Sequence, residues 1–148
     1  VIERPRLAGF LAEDIKAGRV AVEDKVDRSV VTIRGDELFA SASSSIVDDY
    51  QPLMLRIADA IRKVKGQVRV TGHSDNRPIA TLRFPSNWAL SEARAKSVLE
   101  ILAAKTGQGD RFSAEGRSDT EPVATNATAE GRARNRRVEI TVLAEGVE

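Results

Sequence analysis

Apolar residues recur along this chain with two different spacings, and the switches between them outline its elements. Leu7, Phe10, Leu11 and Ile15 follow Arg4-Pro5 at helical spacing and stop at Gly18, which predicts a leading helix over residues 1–18. Val20-Ala21-Val22 and the β-branched run Ser29–Arg34 then read as two strands, with the polar stretch Glu23–Arg28 turning between them. Leu38-Phe39-Ala40 leads into Ser41–Ser45, a small polar stretch that reads as a loop. Pro52 opens an amphipathic helix whose Leu53, Ile57, Ile61 and Val64 share one face, and Gly66 closes it. Gln67–Thr71 alternates as a strand with Val68 and Val70 on one side.

The stretch Gly72–Asn87, rich in Gly, Pro, Ser and Asn, predicts a long loop. A second helix is expected from about Trp88 to Lys105, with Leu90, Ala93 or Arg94, Val98 and Leu102 along one side. Thr106-Gly107-Gln108-Gly109 ends it, Arg111–Glu115 is a brief strand, and Glu121–Thr128 is another loop. The last element alternates from Arg137 to Val142. Strands and helices therefore interleave, an order satisfied by an α+β fold with helices packed on one face of a small mixed β-sheet. No internal repeat or low-complexity tract interrupts it.

Composition narrows the function classes. The chain has 148 residues, enough for one domain spanning 1–148, and its 41% hydrophobic content supplies a core. No run approaches the ~20 apolar residues of a membrane span. The net charge of +1 gives no global field to recruit nucleic acid or an anionic membrane. The absence of cysteine removes disulfides and thiolate chemistry. The chain opens at Val1 without a signal-peptide pattern and reads as a piece of a longer protein.

Enzyme readings fail on chemistry. The one histidine, His73, lies in Thr71-Gly72-His73-Ser74-Asp75. Consecutive residues at a strand end point to alternate faces, so His73, Ser74 and Asp75 do not form a hydrogen-bonded triad. A metal site on His73 and Asp75 lacks further ligands, and the glycine spacing of a phosphate-binding loop is absent. No cofactor is implied. The run Arg132, Arg134, Arg136, Arg137 is balanced by Glu130 and Glu139 and reads as a basic turn entering an edge strand rather than a nucleic-acid contact. Two residues stand out. Asp75 falls where a strand gives way to a loop, and Arg94 interrupts the apolar stripe of Leu90, Val98 and Leu102. They form either a structural salt bridge or a ligand site, and the residues alone favour the bridge.

At these positions the chain resembles a known family. Thr71-Gly72-His73-Ser74-Asp75-Asn76, then Asn87-x-x-Leu90-Ser91-x-x-Arg94-Ala95, then Gly131-Arg132-x-x-Asn135-Arg136-Arg137-Val138-Glu139-Ile140 are similar, in order, to the motifs of OmpA-like peptidoglycan-binding domains. The resemblance implies a two-layer sandwich, a periplasmic location, and a ligand site for the meso-diaminopimelate of the peptide stem. By the same matching, Asp75 takes the ligand ammonium and Arg94 its carboxylate. Asn87 and Leu90 line the pocket, Phe39 contacts it from the upstream loop, and Arg136 lies beside it. Two departures stand out. Asp75 and Arg94 are nineteen positions apart, across a long loop, and Gly116-Arg117-Ser118 replaces the family's frequent Gly-aromatic-Gly. The second leaves open a protein–protein docking module with weak or lost wall binding. Asn76-Arg77-Pro78-Ile79 and Phe84-Pro85-Ser86-Asn87-Trp88 are similar to the periplasmic tails of type VI secretion anchor proteins of the TssL kind, and more loosely of flagellar stators of the MotB kind. The implied partners are peptidoglycan and other membrane subunits of a secretion complex, with a homodimer among the allowed assemblies and no nucleic acid.

Overall fold

The computed structural model describes residues 4–147. A 3-10 turn at Ala8–Leu11 leads into a short α1 (Ala12–Lys16). Leu7 and Leu11 are buried, but Phe10 and Ile15 are exposed, because the tighter 3-10 turn breaks the expected single stripe. The start of the expected 1–18 helix, residues 1–3, lies outside the described residues. The buried Asp14 carboxylate accepts from Arg19 Nε (2.8 Å) and from Arg56 Nε and Nη2 (2.8 and 2.7 Å), tying α1 to the first long helix.

β1 (Ala21–Asp24) and β2 (Arg28–Arg34) form an antiparallel hairpin. A single turn, α2 (Gly35–Leu38), follows β2, and Phe39 bridges to Ile46. The long helix α3 (Gln51–Arg62) buries Leu53, Ile57 and Ile61, as its spacing predicts. β3 (Val68–His73) runs two residues further than expected, through Gly72 and His73. α4 (Asn87–Thr106) starts with the Ser86 hydroxyl accepting from Ala89 N–H (3.1 Å) and ends at Gly107 in the left-handed conformation. β4 (Phe112–Gly116), α5 (Ala129–Asn135) and β5 (Arg137–Leu143) complete the chain.

The five strands stand in the order β1-β2-β5-β3-β4, antiparallel except for the β3–β4 pair. A parallel neighbour requires a crossover, and α4 supplies it. The expected mixed sheet with helices on one face is present: Val31, Ile33, Val68, Val70, Val138, Ile140 and Val142 meet Leu53, Ile57, Ile61, Val98 and Leu102 in one apolar core. One expectation is overturned. β5 is not an edge strand but the central one, hydrogen-bonded to β2 on one side and β3 on the other. Its clean alternation reflects a strand with an apolar face on the core and a charged face behind it.

Glycine sets how closely α4 lies on the sheet. A Cβ on Gly72 would sit 2.1 Å from the Ser91 carbonyl oxygen, and one on Gly116 would sit 2.5 Å from the Glu92 nitrogen. Both contacts are to backbone, which cannot give way as a side chain does. Gly72→Ala should therefore lower the unfolding free energy by about 3 kcal/mol, measured by urea denaturation, while Ser113→Ala on the exposed face of β4 stays near parent. An unchanged midpoint for Gly72→Ala would contradict this packing.

Candidate functional site

The ends of three strands and the first half of α4 converge at one corner of the fold. Asp75 follows β3 by two residues, Arg136 occupies the junction of α5 and β5, and Asp36 lies in the one-turn α2 after β2. Arg94 sits two turns into α4, just beyond the Ser91–Glu92 segment that Gly72 and Gly116 admit. Arg136 is aimed from a rigid base. Asn135 is fully buried, and its Oδ1 accepts from Val123 N–H (2.8 Å) and Ala124 N–H (3.0 Å). Its Nδ2 donates to the Ala124 carbonyl and to Asn126 Oδ1, both at 2.9 Å. Gly35 N–H in turn donates to the Arg136 carbonyl (2.7 Å).

Arg94 is only 8% exposed. Its Nε donates to the Ser43 carbonyl (2.8 Å) and its Nη2 to the Ala40 carbonyl (3.2 Å). The guanidinium carbon lies 4.7 Å from the centroid of the Phe39 ring. Backbone dipoles and a ring face thus hold a buried cation that has no carboxylate paired to it. Burial depresses its pKa from the ordinary arginine value. Arginine remains a cation here, since its ordinary value is so high. Its Nη1 donates to no group among the described residues.

The salt bridge between Asp75 and Arg94 that the residues alone favour does not form. Asp75 Oδ2 instead accepts from Arg136 Nη1 at 2.6 Å, and its Oδ1 accepts from Arg77 N–H at 3.0 Å. Arg136 presents its other two nitrogens to Asp36, with Nε to Oδ1 at 2.8 Å and Nη2 to Oδ2 at 2.7 Å. Arg136 holds the Asp36 carboxyl below the usual carboxylate range. Asp36 first, then Asp75, raise the pKa of Arg136 in return. Two carboxylates therefore share one guanidinium. The corner carries one negative charge in excess there and one unmatched positive charge on Arg94.

All six residues marked in the sequence, Asp75, Arg94, Asn87, Leu90, Phe39 and Arg136, line one cavity of about 540 Å³. Asn87 opens α4 and its Nδ2 donates to the Arg77 carbonyl (2.8 Å), pinning the base of the long loop. That loop supplies Pro78 and Ile79 to the cavity wall and is folded on itself by Thr81 N–H donating to the Phe84 carbonyl (2.9 Å). Leu90 and Phe39 are buried apolar walls. Asp36 is the residue sequence reasoning missed; a carboxylate in a Gly-Asp-Glu turn carries no local signal of an arginine 100 positions away. Arg117, the departure from the family pattern, pairs with Glu115 and takes no part in the cavity.

His73 belongs to the other face of the sheet. It is buried, with Nε2 3.4 Å from Glu139 Oε1 but without the alignment of a hydrogen bond. This carboxylate beside it is one the sequence reading did not place there. His73 and then Arg137, at 2.9 Å, draw the Glu139 pKa down to about 2. Among the described residues no group of three potential ligands gathers for a metal ion.

A mixed sheet backed by helices, with a pocket of opposed charges at its strand ends, defines a small α+β domain built to hold a polar ligand. The chain belongs to the OmpA family, whose model matches residues 38–136. It is similar to a solved structure described as the cell wall anchor of the type VI secretion system from Pseudomonas aeruginosa. The two are 80% identical, with a TM-score of 0.93, over 97% of this chain and 100% of that one. It is also 36% identical to motility protein B of Bacillus subtilis over 79% of this chain, and 35% identical to the peptidoglycan-binding protein ArfA of Mycobacterium tuberculosis over 73%. The matches span 46% and 32% of those relatives, so the chain corresponds to half or less of their length.

The shared guanidinium makes a prediction. In a carboxyl-detected NMR titration, Arg136→Gln should raise the Asp36 pKa back toward its ordinary value of 3.8. An Asp36 titration unmoved by the substitution would contradict the bridge.

Proposed function

We propose that this domain binds peptidoglycan non-covalently through the meso-diaminopimelate of the stem peptide and so anchors an inner-membrane type VI secretion complex to the cell wall. The observation that carries the reading is the charge arrangement of the cavity. The free end of meso-diaminopimelate bears an ammonium and a carboxylate on one carbon. Arg94 is a planar donor without a counter-ion, suited to the carboxylate. Asp75, sharing Arg136 with Asp36, has acceptor capacity left for the ammonium. Leu90 and Phe39 exclude water around the pair, and Asn87 fixes the loop that walls the site. Lysine at the same stem position lacks the carboxylate and leaves Arg94 unmatched, which supplies discrimination.

Membership of the OmpA family supports wall binding, and the 80% identity to a type VI cell wall anchor supports the secretion setting over a flagellar one. In this reading the chain is a single periplasmic domain, and its leading segment descends from a membrane anchor. Among the described residues no helix is long and apolar enough to cross a membrane. The domain works as a tether and catalyses nothing. One small zwitterion offers few contacts, so a single site binds modestly and several copies in an assembly, a homodimer included, gain retention by avidity.

The test is retention on purified sacculi together with calorimetric titration of the diaminopimelate stem peptide. Leaving one member of a desolvated charge pair unmatched costs ~2 kcal/mol or more. Arg94→Ala and Asp75→Ala should therefore weaken binding by about 30-fold or more while remaining folded. Folded variants retained as well as parent would refute the wall-binding site and favour the docking-module reading.

A further inference from the structure

A second cleft lies on the opposite face of the sheet and shares no residue with the wall-binding corner. Pairing register defines its floor: Ala21, Thr32 and Glu139 are aligned across β1, β2 and β5, Glu23 lies opposite Val30, and Arg34 lies opposite Arg137. These positions alternate with Val31, Ile33, Val138 and Ile140, which point into the core, so the cleft occupies the face that no long helix covers. Its volume is about 600 Å³.

The charges along it are uneven. Arg19, Lys25, Arg34, Arg134 and Arg137 face two carboxylates, Glu23 and Glu139, in a chain whose net charge is only +1. Glu139 is already held by Arg137, Glu23 lies 3.8 Å from Lys25, and Arg19 donates its Nε to the buried Asp14, leaving its two terminal nitrogens for the cleft. Arg137 is spent on Glu139 and on the carbonyls of Asn135 and Glu121. Arg34 and Arg134, both exposed, donate to no group among the described residues, and Arg34 has only a longer-range attraction to the Asp36 carboxylate. Between the charges the lining is apolar or small: Val20, Ala21, Val22, Val30 and Val123.

We propose that this cleft is a docking site for an extended acidic segment of a partner polypeptide. A compact anion such as phosphate reaches only one or two of these cations. They are spread instead from Arg19 to Lys25 along β1 and its flanks, and across to Arg34 and Arg134. β1 alone spans roughly 13 Å. Its outer edge pairs with no backbone group among the described residues. A polypeptide in extended form matches such a strip, with carboxylates on the guanidiniums and small apolar side chains on the floor. The two faces being separate, a partner bound here leaves the wall site open, so one domain joins the wall and a second protein at once.

The test is an NMR titration of the ¹⁵N-labelled chain with the capped peptide Glu-Ala-Glu-Val-Glu-Ala-Glu. Its glutamine counterpart and inorganic phosphate serve as comparison probes. The expected result is saturable shifts confined to residues 19–25, 30–34 and 134–139, weakening with salt. The glutamine peptide should bind at least tenfold more weakly. The exposed double variant Arg34→Gln/Arg134→Gln should lose about tenfold in affinity with its remaining spectrum unchanged. Non-saturating shifts, shifts centred elsewhere, or full affinity in the double variant would overturn the proposal. Phosphate matching the acidic peptide at equal concentration would also overturn it, making the cleft a small-anion site.

Discussion

The site depends on a cation buried without a counter-ion. Removing Arg94 from water is costly, and two backbone carbonyls and the Phe39 ring offset that cost only in part. A carboxylate among the neighbouring side chains would have offset more, and two stand close by. Both are turned to Arg136 instead. The fold thereby withholds its own carboxylates from Arg94 and leaves that positive charge unmatched. Two aspartates on one guanidinium leave a negative charge beside it, the pairing that the proposed zwitterion would complete.

That separation is only as good as the scaffold that enforces it. Arg94 is placed by α4, which lies on β3 and β4 at a distance that only glycine at positions 72 and 116 permits. Arg136 is placed by Asn135, whose amide is used in full by the 123–126 loop and so fixes where β5 begins. Asp75 is oriented by the Arg77 amide, two residues on, before any ligand arrives. Each charged group thus approaches the cavity from a different element with little freedom to find another partner, a preorganisation that suits the proposed binding of a small zwitterion.

Much of the fold was legible because α3, α4 and β5 each bury a regular stripe: Leu53, Ile57 and Ile61; Leu90, Val98 and Leu102; Val138, Ile140 and Val142. Where no stripe exists, the reading failed. Ala129–Asn135 holds no large apolar residue, and its helix rests on the Thr128 hydroxyl accepting from Gly131 N–H and on the buried Asn135. The central position of β5 was illegible too, since alternation reports which faces a strand shows but not what flanks its edges. In the site, Arg94 announced itself as a charge on an apolar stripe. The partner of Asp75 did not: Arg136 is 61 positions away, and periodicity carries no information about which cation a loop carboxylate meets.

The proposed wall binding depends on Arg94 meeting the ligand carboxylate. The most direct measurement is calorimetric titration of two stem peptides, one with the free diaminopimelate carboxylate and one with that group amidated, against parent and Arg94→Gln. Parent should prefer the free carboxylate by about tenfold or more, and the variant should bind both peptides alike. Equal discrimination by parent and variant would place the carboxylate elsewhere and contradict the account.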